Sequence, residues 1–317
     1  MDRSVKDAPQ QGDATAGQAE QKAKLNYIQW EDKFRTEKPY EFISQAPEGC
    51  PRKNFTLAAS PEQTIHDIRG SEDLFNLDDH AFQVVRQELG VIPTNQEGIE
   101  REYLPKVVEL LRSIDPGAEV VVFDWRLRTS DHSRTSPKSG SVIDLDDPML
   151  ILKPVHAVHI DQSPLAATKR VKHHMGTRAE ELLQRRFRII NVWRPLRYPV
   201  TDYPLAVCDG STVQPQNLVA VDHVRKNYEG EGLYPLYDEG MKWYYLNRQT
   251  KDEVLLFKTF DSKEGLKARC CPHTSFKQSG GGNLEQETGG DCSNAVVRTA
   301  RESIEVRAMV FSKGGGG

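Results

Sequence analysis

No apolar stretch in this 317-residue sequence approaches the length of a membrane-spanning helix. No lysine- and arginine-rich block offsets the acids either. The formal charge is −4 and the pI about 6.2, which argues against a general nucleic-acid binder. Cysteine is scarce: five are scattered at positions 50, 208, 270, 271 and 292, without the regular spacing of a secreted disulfide scaffold. The opening MDRSVKDAPQQGDATAGQAEQKAK has no signal-peptide core, so a cytoplasmic protein with neither membrane nor nucleic-acid partners is expected. Internal repeats are missing as well, which excludes solenoids and propellers.

What is present is enough apolar material for one large core or two modest ones. Residues 1–24, rich in Gln, Ala, Gly and Asp, have little to bury and are expected to be disordered; the GGGG at 314–317 reads as a flexible tail. Residues 25–117 read as largely helical, with DHAFQVVRQEL and IEREYLPKVVELLRSI carrying apolar side chains at helical spacing. From about Ala118 the texture changes to short runs rich in Val, Ile, Phe, Tyr and Trp, as strands are: AEVVVFDWRLR, MLILKPVHAVHID, RFRIINVWRPL, LAVCD, LVAVDHV, KWYYLNR, EVLLFKTFD, ARCCPHTSF and SIEVRAMVF. One helical interlude, GTRAEELLQRRF, interrupts them. So many strands in one stretch predict a barrel or double sheet. The Gly-rich segment within 277–300 reads as a lid-like surface loop.

Within HAVHIDQSPLAA, His159 and Asp161 are spaced i, i+2 and leave the same face of an extended chain. An imidazole and a carboxylate side by side suit a divalent metal. His173, His174, His223 and His273 could each supply a third ligand. The first two sit in a basic segment that reads as a helix lead-in, and His223 has no anion-binding group suitably placed after it. His273 ends a strand and is followed by Arg301 and Ser303, an Arg-x-Ser pair entering the final strand. His-x-Asp, a distal His and then Arg-x-Ser suit Fe(II) held by two histidines and a carboxylate, which leaves positions open on the metal. The arginine offers a planar fork to the far carboxylate of 2-oxoglutarate, with the serine hydroxyl beside it.

IHDIRGSE, VVVFDWRLR, VHIDQSP, IINVWRPL, PLAVCDGSTV, WYYL, VLLFKTFDS, CCPHTSF and RESIEVRAMVF, in that order from about residue 60 to 312, resemble the CmcJ/NvfI-like oxygenases. That family includes gibberellin desaturase-like and meroterpenoid-tailoring enzymes of specialised metabolism. The resemblance implies a mainly β protein with a double-stranded β-helix (jelly-roll) core over 118–313, buttressed by the helical region 25–117. It also implies Fe(II)/2-oxoglutarate-dependent oxidation by molecular oxygen of a small, apolar natural product: hydroxylation, desaturation or oxidative rearrangement. By position, His159, Asp161 and His273 match the metal triad and catalytic set, and Arg301 with Ser303 the co-substrate anchor. The family also suggests a homodimer, or a heterodimer with a homologue.

Two more arginines are candidates for the cofactor site. Arg307 shares a strand face with Arg301, Ser303 and Glu305, and either lines the barrel mouth or pairs with Glu305. Arg194 and Asn191 in NVWRPL either reach the cofactor or shape a strand exit. The competing functions are a non-catalytic partner subunit of a homologous oxygenase and a cupin-like metalloenzyme that does not use 2-oxoglutarate.

Overall fold

The computed structural model describes residues 20–43, 45–135, 147–225, 228–278 and 299–313. Of the expected disordered tail 1–24, residues 1–19 lie outside them, as do 314–317 and most of the Gly-rich segment (279–298). Residues 20–24 are described, and Gln21–Ala23 is a strand paired with Gln63 to Ile65 rather than a disordered tail.

Four long strands form where β-branched and aromatic residues accumulate: Glu119–Thr129, Phe187–Pro195, Glu253–Asp261 and Glu302–Phe311. They are the body of a six-stranded sheet in the order Phe82–Arg86, Glu253–Asp261, Phe187–Pro195, Glu302–Phe311, Glu119–Thr129, Ile151–Leu152. Neighbours run antiparallel except for the final pair. Every residue of Phe187–Pro195 and Glu253–Asp261 is buried, because this sheet is covered on both faces. That is why these stretches read as continuous apolar runs rather than alternating ones.

A second layer is assembled from smaller pieces. Gln21–Ala23, Gln63–Asp67, Trp243–Tyr245, Leu205–Cys208 and His273–Ser275 form one sheet; Glu229–Pro235, Leu218–Val224 and Tyr40–Phe42 form another. Single backbone bridges, His159 to His273 and Ile160 to Leu233, tie the two together. The result is the expected double-stranded β-helix, and the segment carrying His-x-Asp is the thread that joins the halves of its second layer.

Packing fixes the large sheet between two covers. On its outer face, Val107, Leu110 and Leu111 of helix Leu104–Ile114 pack on Val120, Ile190, Val192, Leu256, Ile304 and Val306. Each fully buried aliphatic side chain stabilises the fold by about 1.5–3 kcal/mol. On the inner face, Trp193, Leu255 and Phe257 meet Leu205 and Val207 of the second layer. Further along the same face, Met309 and Phe311 pack with Ala167 and Val171 of helix Pro164–Met175. Ser163 caps that helix, its Oγ accepting from Ala166 N at 3.1 Å, just beyond Asp161.

Helical structure in 25–117 is narrower than expected. Apart from short 3-10 turns it is confined to Gln96–Ile114, and the rest of the region supplies short strands to the sheets. DHAFQVVRQEL in particular contains the strand Phe82–Arg86, because Phe82 to Arg86 pair residue by residue with Phe257 to Glu253. Among the described residues no helix is long and apolar enough to cross a membrane. The four described cysteines are all free.

Candidate metal centre

Register alone brings the two histidines together. His159 and His273 form a mutual antiparallel pair: His159 N donates to His273 O at 3.2 Å, and His273 N donates to His159 O at 3.0 Å. Directly opposed residues put their side chains on one face of the sheet, and the imidazole centroids lie 4.4 Å apart. Asp161, two residues along the extended segment, adds its carboxylate to that face. His159 Nε2 is 3.5 Å from Asp161 Oδ1, and the ligand atoms of His159, Asp161 and His273 lie within 4.8 Å of one another.

The rings are held in one tautomer. His159 Nδ1 lies 2.9 Å from Ala157 O, and His273 Nδ1 lies 3.1 Å from Cys271 O. A carbonyl oxygen only accepts, so each Nδ1 carries the proton and each Nε2 keeps a lone pair toward the shared space. Burial, and then the proximity of the His159 imidazole, push His273 down to about 3. It is therefore a neutral imidazole at physiological pH, the form that ligates metals.

Asp161 is oriented from the large sheet. Arg307 Nε donates to Asp161 Oδ2 at 2.9 Å, and Asn191 Nδ2 donates to the same oxygen at 2.7 Å. Burial alone would raise this carboxyl's pKa. The Arg307 guanidinium, followed by His159, overrides burial and holds it well below the usual carboxylate range. Arg307 also donates to Asp124 Oδ2 at 2.7 Å and to Glu305. It thus clamps three carboxylates, and the expected pairing with Glu305 is one arm of that clamp.

At the other end of the site lies a small cavity lined by His159, His273, Arg301 and Ser275, with Trp193 and Leu205 in its wall. Arg301 is buried with its guanidinium carbon 5.6 Å from the Trp193 ring centroid. Its Nη1 donates to Tyr203 O at 2.6 Å and Ser275 Oγ at 3.0 Å. No carboxylate among the described residues forms a salt bridge with it. Burial, and then the charge of Arg128, push Arg301 down to about 9. Arg301 Nε and Ser303 Oγ are both buried without a hydrogen-bond partner among the described residues. A buried cation and an idle hydroxyl on one strand face suit an incoming carboxylate.

The other histidines and Arg194 are not brought to the triad. His173 and His174 lie on the helix Pro164–Met175. His223 Nε2 is 3.2 Å from Tyr234 Oη and lines a neighbouring cavity beside Asp161. Arg194 leaves the opposite face of its strand from Asn191 and Trp193. There it sits 5.6 Å over the Tyr103 ring and donates to Lys251 O at 3.1 Å, so it is a packing residue of the outer core rather than a cofactor ligand.

Comparison with known proteins agrees with this geometry. A family profile described as an oxidoreductase/YMDC permease-like domain matches residues 25–311. The Fe(II)/2-oxoglutarate-dependent dioxygenase nvfI of Aspergillus novofumigatus is 32% identical over 259 residues, covering 78% of this chain and 82% of that protein. The hydroxylase/desaturase poxK of Penicillium oxalicum is 31% identical over 304 residues, covering 86% of each. A solved structure of the iron and alpha-ketoglutarate-dependent endoperoxidase NvfI superposes with a TM-score of 0.75 at 28% identity, covering 92% of this chain and 98% of that one. The chain belongs to the fungal Fe(II)/2-oxoglutarate-dependent hydroxylase/desaturase family.

Several residues of this oxygenase site carry no signal of their own in the sequence. Arg128 lines the Arg301 cavity from the adjacent strand, where it faces Ser303 in register. Trp193 supplies the wall beneath Arg301, and Asp124 braces Arg307. The parity of Trp193 with Asn191 was available as a clue. The parity of Asp124 with Arg128 was equally open to reading, once Glu119–Thr129 is known to flank the last strand.

Proposed function

We propose that His159, Asp161 and His273 hold Fe(II), and that Arg301 with Ser303 takes the distal carboxylate of 2-oxoglutarate. The reaction is hydroxylation, desaturation or oxidative rearrangement of a small natural product. The observation that supports these roles is the cavity with the two imidazoles at one end and an unpaired buried guanidinium at the other. In this reading the keto-acid end of 2-oxoglutarate would face the imidazoles and its distal carboxylate Arg301.

When bound, iron and 2-oxoglutarate supply an oxygen-dependent oxidation in which the keto acid is converted to succinate and carbon dioxide. The protein's own part is positional. The Nδ1 hydrogen bonds to Ala157 and Cys271 keep both Nε2 atoms available. Arg307 and Asn191 keep Asp161 ionised and aimed. Trp193 and Leu205 would shield from water the salt bridge that Arg301 makes when the diacid is bound, which would strengthen it.

In this reading, residues 118–313 form the catalytic core and residues 25–117 buttress it. The scattered free cysteines support a cytoplasmic protein, and the family resemblance a homodimer or a heterodimer with a homologue; light scattering of the purified chain tests the homodimer. The decisive test of the site is succinate formation. It is expected to require Fe(II), oxygen and 2-oxoglutarate together, and to vanish in His159→Ala, Asp161→Ala and His273→Ala. Full activity in His273→Ala would overturn the assignment.

A further inference from the structure

On the Asp161 side of the centre, opposite the Arg301 cavity, the structure opens into a second space. A pocket bounded by Asp161, Arg307 and His223 shares Phe123, Asp124, Arg170 and Arg225 with an open cleft of about 450 Å³. That is room for a small organic molecule. An apolar substrate leads one to expect an apolar wall. Instead, two arginines stand where pocket and cleft join.

These arginines are not consumed by any described residue. Among the described residues, neither Arg170 nor Arg225 forms a salt bridge or a side-chain hydrogen bond, and Arg170 Nε is buried without a partner. The nearby acids among the described residues are already engaged. Asp124 is held by Arg307 at 2.7 Å and by Arg126 at 2.8 Å, and Glu231 is paired with Lys38. Glu100, at the edge of the cleft, accepts from Gln96 Nε2 at 2.9 Å. Arg170 is also fixed in orientation. Its guanidinium carbon lies 4.4 Å from the Tyr228 ring centroid and 5.1 Å from that of Phe123. Stacking occupies the faces of a guanidinium and leaves its in-plane N–H donors free, and these match the two oxygens of a carboxylate. The Tyr228 hydroxyl, also buried and unpartnered, adds another donor beside them.

We propose that Arg170 and Arg225 form a carboxylate-binding subsite for the oxidised substrate, so that this oxygenase acts on a small organic acid rather than on a wholly apolar molecule. The inference rests on the assignment of the metal to the His159–Asp161–His273 face. Anchoring the acid between the two arginines fixes one end of the substrate, and the pocket beside Asp161 receives the carbon to be oxidised.

The test uses 2-naphthoate and 2-naphthamide, titrated by calorimetry against the 317-residue chain under nitrogen with Fe(II) and saturating 2-oxoglutarate. The saturating diacid keeps the aryl carboxylate away from Arg301. The wild-type protein is expected to bind the carboxylate at least about tenfold more tightly than the amide, as a charge-assisted contact implies. Arg170→Gln and Arg225→Gln each remove most of that preference and leave amide binding unchanged. Arg185→Gln, outside the residues lining pocket and cleft and paired with Glu181, leaves both unchanged. Equal binding of the two probes by the wild type, or a preference that survives Arg170→Gln and Arg225→Gln together, overturns the proposal. Affinity for 2-oxoglutarate, titrated separately in the same proteins, tests the cofactor reading alone and is expected to be identical in all of them.

Discussion

Replacing Arg301 by lysine should raise the Michaelis constant for 2-oxoglutarate without removing the metal site. Arg301 is enclosed, with Nη1 spent on Tyr203 O and Ser275 Oγ, and Nε left for a ligand. Lysine keeps the charge but loses the fork, and its ammonium must choose between those two oxygens and the incoming carboxylate. Losing a charge-assisted hydrogen bond of about 1.5–3 kcal/mol corresponds to roughly ten- to more than a hundredfold in the constant. Arg301→Gln, without charge, should lie at the upper end. Pyruvate offers a control internal to the assay. It has the keto acid but no distal carboxylate, so its weak binding should hardly change between wild type and variants. The measurement is steady-state succinate (or acetate) production against co-substrate concentration, with Fe(II) affinity determined in parallel. The reasoning is refuted if the constants for 2-oxoglutarate and pyruvate rise together, or if Arg307→Gln raises the 2-oxoglutarate constant while Arg301→Lys does not.

Three further outcomes are expected. Arg307→Gln and Asn191→Ala, which release Asp161 without removing a ligand, should each weaken Fe(II) binding about 10–100-fold, read by competition with a chelator. Asp261→Asn should destabilise the fold by roughly 3–5 kcal/mol in urea unfolding, since it strips Lys258, fully buried 2.7 Å from Asp261, of its nearer charged partner and leaves only Asp78 at 3.7 Å. Burial would raise the Asp261 pKa, but Arg186 and then Lys258 hold it below its usual value. The wild-type contribution is therefore complete above the unfolded-state pKa and is lost as pH falls through the lower folded one, so the gap between wild type and Asp261→Asn should close in acid. Arg194→Gln should lower the melting temperature yet leave the 2-oxoglutarate constant unchanged, because its partners are Gln87, Lys251 and Tyr103.

The parts of this fold that could be read from the chain are those whose residues encode their own geometry. His159 and Asp161 share a face by parity alone, and the long buried strands announce themselves by unbroken Val, Ile and Phe. Phe82–Arg86 was misleading because Phe82, Val85 and Leu89 also fit a helical period. What settles the matter is a partner strand, Glu253–Phe257, far along the chain. The helix Pro164–Met175 was faint for a different reason. It buries only Ala166, Ala167 and Val171, a stripe too small to stand out among its lysines and histidines. Arg301 could be distinguished from Arg307 only in three dimensions, since both lie on one strand face and only the neighbours decide which is already neutralised. The same holds for Arg170 and Arg225. A charge's want of a counter-ion is a property of everything around it, and no local pattern carries it.

The mutual backbone pair of His159 and His273 makes the centre a latch as well as a ligand set. Each strand end contributes both an amide to the latch and an imidazole to the triad, so opening the backbone pair and separating the two Nε2 atoms are the same motion. A cation held by both rings would pin a seam between two segments remote in sequence, and local fraying there would first have to release it. Hydrogen exchange at these two amides consequently becomes a gauge of occupancy, slowing as Fe(II) or an inert substitute such as Mn(II) is added, with no turnover required.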